Sequence, residues 1–286
     1  MLDSITIPYH RMESCHEPKA KLHTPRFKAI IKRLNYIGIG VDMARLPRPS
    51  ELNYQQGQGD LLSVIIPVFN ECQTIGQVIA EVAALPLATE IIIVDDFSSD
   101  GSQDIAECLS DVPMIRVVCK DSNEGKGAAL RTGLEMANGK FVVFQDADLE
   151  YTPNDIPRLL EPLLNGEADV VFGSRFMGES KQGGGWTHRF GNKLLTKAAN
   201  LFNGTQLSDM ETCYKLFRKD LLSHVVLREN RFGVEPELTA KLARRNARFI
   251  ELPIRYQYRS YKEGKKIGVR DLVRAIYCIC RYGLSD

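Results

Sequence analysis

The apolar positions along the chain change period at about residue 60. Before it, the one sustained pattern is helical: Phe27, Ile30, Ile31 and Leu34 recur at helix spacing, with Arg26, Lys28, Lys32 and Arg33 on the other side. Such a basic amphipathic segment rests either on an anionic membrane or on an apolar face of its own protein. Pro47, Pro49, Gly57 and Gly59 punctuate the end of this region, which marks a linker. From residue 61 onward, continuous apolar runs alternate with helical repeats. The runs predict strands at 61–66, 90–94, 114–119, 141–144 and 169–172, and the repeats predict helices at 71–84, 101–109, 127–137 and 155–164. Beyond these, the pattern predicts a helix over 190–202, a short strand ending near Phe217, a helix over 235–245, a strand over 248–258 and an amphipathic stretch over 269–282. Successive strand–helix units make this an α/β chain with a mostly parallel, doubly wound sheet flanked by helices. Residues 60–258 form that domain, between a basic extension at 1–59 and a basic amphipathic segment at 259–286.

In sheets of this kind ligands bind beyond the carboxyl ends of the strands. Phe69-Asn70-Glu71, Asp95-Asp96, residues 123–127 and residues 146–150 all fall at such ends and are expected to line one crevice. The stretch FVVFQDADLEY at 141–151 runs from four apolar residues into alternating acids. Residues two apart on an extended chain point the same way, so Asp146, Asp148 and Glu150 are placed to converge on a hard cation; a solvated acidic turn is the competing reading.

Composition narrows the field. The net charge is +1, yet residues 1–59 carry nine Lys/Arg against five Asp/Glu and residues 255–286 eight against three, which leaves an acidic centre between basic flanks. The seven cysteines are odd in number and lack a CxxC pair, so neither a disulfide framework nor a zinc knuckle is indicated, and a reducing cytosol fits best. No leader-like apolar segment opens the chain, and no window approaches the roughly 18 apolar residues of a membrane span. Residues 123–127, Asn-Glu-Gly-Lys-Gly, lack the upstream glycine and the Ser/Thr of a P-loop, and residues 125–130 lack the third glycine of a dinucleotide fingerprint.

The ordered set Pro67-Val68-Phe69-Asn70-Glu71, Val94-Asp95-Asp96-Phe97-Ser98, residues 123–127, Asp146-Ala147-Asp148, Gly173-Ser174-Arg175 and residues 209–217 resembles glycosyltransferase family 2, above all its dolichyl- and polyprenyl-phosphate sugar transferases. The resemblance spans about residues 61–270. It implies a GT-A fold, a nucleotide-sugar donor and Mn²⁺ or Mg²⁺. By position, Pro67, Glu71 and Asp96 would hold the nucleoside, with Phe69 where the family often has Tyr, and Asp95 and Lys126 would lie on the donor side. Asp146, Asp148 and Glu150 would hold the metal on the donor diphosphate, Glu150 standing where close relatives usually carry Gln. Arg175 and Arg189 would meet phosphate, and Arg259 and Lys265 would clamp the diphosphate from the tail. The glycine-rich stretch 178–185 is expected to form a mobile loop over the site.

The chemistry implied is an inverting transfer of a hexose from GDP-mannose or UDP-glucose to a polyprenyl or dolichyl phosphate, a step in building cell-envelope glycans. Alternatives are a transferase with a hydroxyl acceptor, for which Asp209 and then Glu211 are the candidate bases, and a silent nucleotide-sugar-binding subunit. Expected partners are the donor, a lipid-phosphate acceptor and a membrane-anchoring protein, with no nucleic acid; the expected location is the cytoplasm, peripheral on a membrane.

Overall fold

The structure, a computed structural model, describes residues 25–46, 62–87, 89–177, 186–223, 225–258 and 269–284. Its centre is a seven-stranded sheet built from β1 (Leu62–Val68), β2 (Thr89–Asp95), β3 (Ile115–Cys119), β4 (Phe141–Phe144), β5 (Val170–Ser174), β6 (Lys215–Arg218) and β7 (Phe249–Pro253), in the order β3-β2-β1-β4-β6-β5-β7. The branched and aromatic runs LSVIIPV, TEIIIVD and FVVF are buried almost throughout, as strands covered on both faces must be. All neighbours pair in parallel except β6, which runs antiparallel to both β4 and β5. The register sets Val68 opposite Asp95 and Asp95 opposite Cys119, so the loops that leave these strands open on one edge.

Helices α2 (Ile75–Ala83), α3 (Ser102–Glu107), α4 (Lys126–Met136) and α5 (Ile156–Leu164) follow the first strands, and α6 (Trp186–Asn203) and α7 (Val234–Arg244) come later. Several boundaries differ from the sequence pattern: α6 begins at Trp186 rather than at 190, and two others have a visible cause. Helix α2 starts at Ile75 rather than at 71, because Asn70 takes a left-handed φ of 52° and the Glu71 amide donates to the Ser102 hydroxyl at 2.8 Å. Strand β7 stops at Pro253 instead of running to 258. The Arg255 amide is taken by Asp155 Oδ2 at 2.7 Å, and a single bridge from Tyr256 to Tyr151 replaces the ladder.

The N-terminal amphipathic segment forms α1 (Pro25–Tyr36) and docks on the domain. Phe27, Ile30 and Leu34 are buried in the same core as the sheet, worth about 2 kcal/mol each. A polar latch follows. The Gln77 side chain accepts from the Asp42 amide at 2.6 Å and donates to Glu81 at 2.9 Å, and Arg45 Nε reaches Glu81 Oε1 at 2.8 Å. Glu81 is fully buried and its Oε2 has no hydrogen-bond partner, so Arg45 is its sole salt-bridge cation among the described residues.

The chain's last helix, α8 (Val269–Leu284), packs against α6 and α7 through Ala275, Ile279, Cys278 and Tyr282. Among the described residues no helix is long and apolar enough to cross a membrane.

Arg45→Ala strands the Glu81 carboxylate in the interior. It is expected to lower stability by about 3 kcal/mol, the low end for a broken buried pair because Arg45 keeps some water contact, and adding Glu81→Gln is expected to recover part of the loss. The urea midpoint at unchanged m value reads both effects; a wild-type midpoint for Arg45→Ala would remove the latch from the account.

Candidate active site

The edge where β1, β2, β3 and β4 end is held open by interlocked loops. The Asn70 amide donates to the Ser98 hydroxyl at 2.9 Å and the Ser99 amide to the Asn70 side-chain carbonyl at 2.8 Å, which ties the turn after β1 to the turn after β2. Pro67, Phe69 and Glu71 line that tie and are half-buried. Asp95 accepts from the Ser98 amide through Oδ1 at 2.8 Å, and its buried Oδ2 has no hydrogen-bond partner. Asp96 accepts from the amides of Glu124 at 3.1 Å and Gly125 at 2.6 Å and pairs with Lys120 at 3.3 Å. Its carboxylate thereby fixes the loop that enters α4.

That loop delivers Lys126 by a close approach of backbones. Gly125 sits at φ 101°, and a Cβ on Gly127 would lie 2.1 Å from the Glu229 carbonyl oxygen, so residues 229–231 leave no room for a side chain. Lys126 Nζ reaches Asp146 at 2.8 Å and Glu235 at 3.1 Å. Glu235 also pairs with Lys215, whose ammonium is fully buried. Charges therefore alternate from Lys215 through Glu235 and Lys126 to Asp146. Burial opposes the charge on Lys126, but Asp146, then Cys213 and Glu235, raise its pKa well above the ordinary lysine value.

The three acids of the rim part company. Asp146 belongs to Lys126. Glu150 accepts from the Tyr256 hydroxyl at 2.8 Å. Asp148 Oδ1 accepts from the Glu150 amide at 3.1 Å; burial first, then Asp146 and Glu150, push its pKa up to about 8. Among the described residues no group of three His, Cys, Asp or Glu side chains is arranged to hold a metal ion. Of the three carboxylates expected to converge, Glu150 is engaged by the Tyr256 hydroxyl. Asp146 and Asp148 remain as hard oxygen donors at a rim with negative charge to spare. That donor set fits a divalent cation which takes the rest of its shell from water and a substrate's phosphates.

On the other side of the rim stands Arg175, just past β5 and nearly buried. Asp209 grips it twice, accepting from Nε at 2.7 Å and Nη2 at 2.8 Å, and also accepts from the Arg175 amide at 3.0 Å and the Asn192 side chain at 3.1 Å. The guanidinium carbon lies 5.3 Å from the centre of the Tyr256 ring. Burial alone would raise the pKa of Asp209, but Arg175 outweighs it and holds the carboxyl below its usual range. Asp209, the first candidate base for a hydroxyl acceptor, thus has both carboxylate oxygens engaged in holding Arg175. Glu211 is different. Its Oε1 is buried with no hydrogen-bond partner, and burial, then the nearby Glu235, lift its pKa to about 7.

Arg189 is exposed on the first turn of α6. Arg259, Lys265 and the glycine-rich stretch 178–185 fall outside the described residues. Conversely, Glu235 and Tyr256 belong to the site although no local motif marks them: one begins a helix and the other follows a strand.

Residues 63–226, more than half of the chain, match the family described as Glycosyl transferase family 2. The chain belongs to that family. It is 31% identical over 223 residues to an undecaprenyl-phosphate 4-deoxy-4-formamido-L-arabinose transferase of Aeromonas hydrophila, a match covering 76% of this chain and 66% of the relative, slightly under two thirds of that protein's length. It is 29% identical over 233 residues to an undecaprenyl-phosphate mannosyltransferase of Micrococcus luteus, covering 77% of this chain and 93% of the relative. In fold it matches glucosyl-3-phosphoglycerate synthase of Mycobacterium tuberculosis, solved with Mn²⁺, UDP and phosphoglyceric acid, at a TM-score of 0.61 and 22% identity, over 82% of this chain and 86% of that one. This family 2 chain thus has the GT-A fold implied by its motifs.

Gly127→Ala in this glycosyltransferase sets a methyl group against backbone. It is expected to cost at least about 3 kcal/mol, at or beyond the top of the overpacking range, since a carbonyl cannot turn aside as a side chain does. Thermal unfolding checks it; an unchanged midpoint would mean that residues 229–231 are not held where the structure has them.

Proposed function

We propose that the chain transfers a hexose from a nucleotide sugar, GDP-mannose or UDP-glucose, to a polyprenyl or dolichyl phosphate with inversion at the anomeric carbon. The observation that carries this reading is the clamp between Arg175 and Asp209. It fixes a guanidinium in the crevice for an anionic acceptor, and in doing so it takes the expected base out of proton transfer. An acceptor that arrives ionised needs the first and has no use for the second. The names of the two relatives, both undecaprenyl-phosphate sugar transferases, support the same acceptor class.

In this reading Pro67, Phe69, Glu71, Asp95 and Asp96 border the nucleoside end of the donor, and Asp146 and Asp148 hold a divalent cation, Mn²⁺ or Mg²⁺. When bound, that cation supplies charge to stabilise the departing diphosphate. An acceptor phosphate oxygen forms the new bond to the anomeric carbon as the carbon–oxygen bond to the nucleoside diphosphate breaks from the opposite face. Arg175 orients the acceptor, and Lys126 stands ready to follow the charge that builds on the leaving group, as fixed cations in a poorly hydrated crevice do best. A second reading rests on Glu211. A hydroxyl acceptor must lose a proton, and a half-buried carboxyl with a pKa of about 7 and a free oxygen is equipped to take it.

Incubation with labelled GDP- and UDP-sugars, Mn²⁺ or Mg²⁺, and polyprenyl phosphate separates these readings. Metal-dependent label entering the organic phase is the expected result, and Asp148→Asn is expected to lower it by at least about 100-fold with the fold intact. Donor binding without any lipid-linked label would overturn the lipid-phosphate reading. For a hydroxyl acceptor, the rate should rise with pH through about 7 as Glu211 loses its proton, and Glu211→Gln should remove that limb and cost about 10²- to 10⁴-fold.

A further inference from the structure

Helices α6 and α8 lie side by side at the surface. Leu195, Ala198, Ala199 and Phe202 of α6 meet Ala275 and Ile279 of α8, and Phe202 fills the space that a side chain on Gly283 would need. Among the residues left facing outward, each helix carries an apolar stripe. Phe190, Leu194 and Leu201 fall on one stripe of α6, and Val273, Ile276, Tyr277 and Leu284 on one stripe of α8; Leu201 is 82% exposed and Leu284 75%. On each helix the stripe adjoins the seam with the other helix and lies away from the inward residues, Asn192 and Thr196 on α6 and Cys278 and Tyr282 on α8. By helix geometry the two stripes open in one direction as a single raft. Scattered exposed leucines are ordinary, but seven large apolar side chains on two adjoining helices are not.

Charge tells what covers the raft. The sequence of α6 contains no acidic residue, and Arg189, Lys193 and Lys197 are exposed beside its stripe. On α8 the single acid, Asp271, lies near Arg231, and Arg274 is spent on Glu229. A second copy of the chain packed about a two-fold axis would bring these cations of α6 toward their own copies. An anionic lipid leaflet accepts both the apolar body and the cationic border.

We infer that the α6–α8 face docks on the headgroup region of an anionic membrane leaflet. The inference rests on the lipid-phosphate reading for its purpose, since a membrane-borne acceptor then enters from the surface on which the enzyme sits. It also moves the docking element. The stripe of α1, basic and amphipathic in sequence, is buried against the domain and is not available.

The test floats the full chain with vesicles of phosphatidylcholine alone or mixed with phosphatidylglycerol, at low and high salt. Flotation with the anionic vesicles, weakened by salt, is expected. Leu194→Asp with Ile276→Asp should abolish it while the thermal midpoint and the binding of GDP or UDP stay as in the wild type. Lys193→Gln and Lys197→Gln should each weaken vesicle binding about five-fold and flatten the salt dependence. Transfer to a water-soluble short-chain prenyl phosphate should survive Leu194→Asp with Ile276→Asp, whereas transfer to vesicle-borne acceptor should fall. A wild-type chain that stays off anionic vesicles, variants that float as it does, or a wild-type dimer that Ile276→Asp turns into a monomer would each overturn the docking face. Failure of the wild type on the short-chain acceptor would instead remove the lipid-phosphate reading and leave flotation to decide the face on its own.

Discussion

Negative charge crowded at the carboxyl ends of the strands is the constraint that the site and its loops answer to. Asp95, Asp96, Asp146, Asp148, Asp209, Glu211 and Glu235 gather at that edge of the sheet, and a carboxylate taken out of water must be paired or change its protonation. Most are paired with something that also holds the architecture. Asp96 takes the amides of the loop before α4, Asp209 takes Arg175, and Glu235 and Asp146 share Lys126. Each pairing consumes a charge and fixes a loop in the same act, so removing one partner frees the other in the interior. Asp148 and Glu211 escape pairing. Their raised pKa values mark where the protein has left room for charge brought by something else.

The fold was legible in the sequence because its signal is local and repeated. Runs such as IIIVD and FVVFQD announce buried strands by composition alone, and the helices between them keep their period. Even the placement of Asp95, Asp96 and Asp146 on one edge follows from strand ends in a parallel sheet, before any register is known. What the period cannot carry is direction. The short run at Lys215–Arg218 looks like any strand, yet it enters antiparallel between β4 and β5 and splits the sheet at the crevice.

The site was legible as a list of residues but not as a set of relations. Asp209 and Glu211 are two residues apart and equally acidic in sequence; only the fold shows that Arg175 claims the first and leaves the second. Glu150 follows the alternation of Asp146 and Asp148 faithfully, and only the fold shows that Tyr256, more than a hundred residues on, donates to it. The dual character of α1 was undecidable for a similar reason. An amphipathic stripe states that it must be covered and is silent on what covers it.

Residues 229–231 show how one segment can serve two ends of the molecule. The Asn230 carbonyl accepts from the Ala128 amide at 3.0 Å, and the Glu229 carbonyl accepts from Arg131 at 2.9 Å, so this strip of backbone is the wall against which the glycines around Lys126 are set. The Glu229 side chain points the other way and takes both Arg274, twice at 2.8 Å, and the Tyr282 hydroxyl at 3.0 Å from α8. Arg274 and Tyr282 offset the cost of burying Glu229 and hold its carboxyl below the usual range. The helix of the apolar raft and the lysine of the donor side are therefore referenced to the same two or three residues. In a packed interior such a reference is rigid. In the proposed reading, a membrane-borne acceptor and a soluble donor must meet at one carbon atom, and that rigidity serves the meeting.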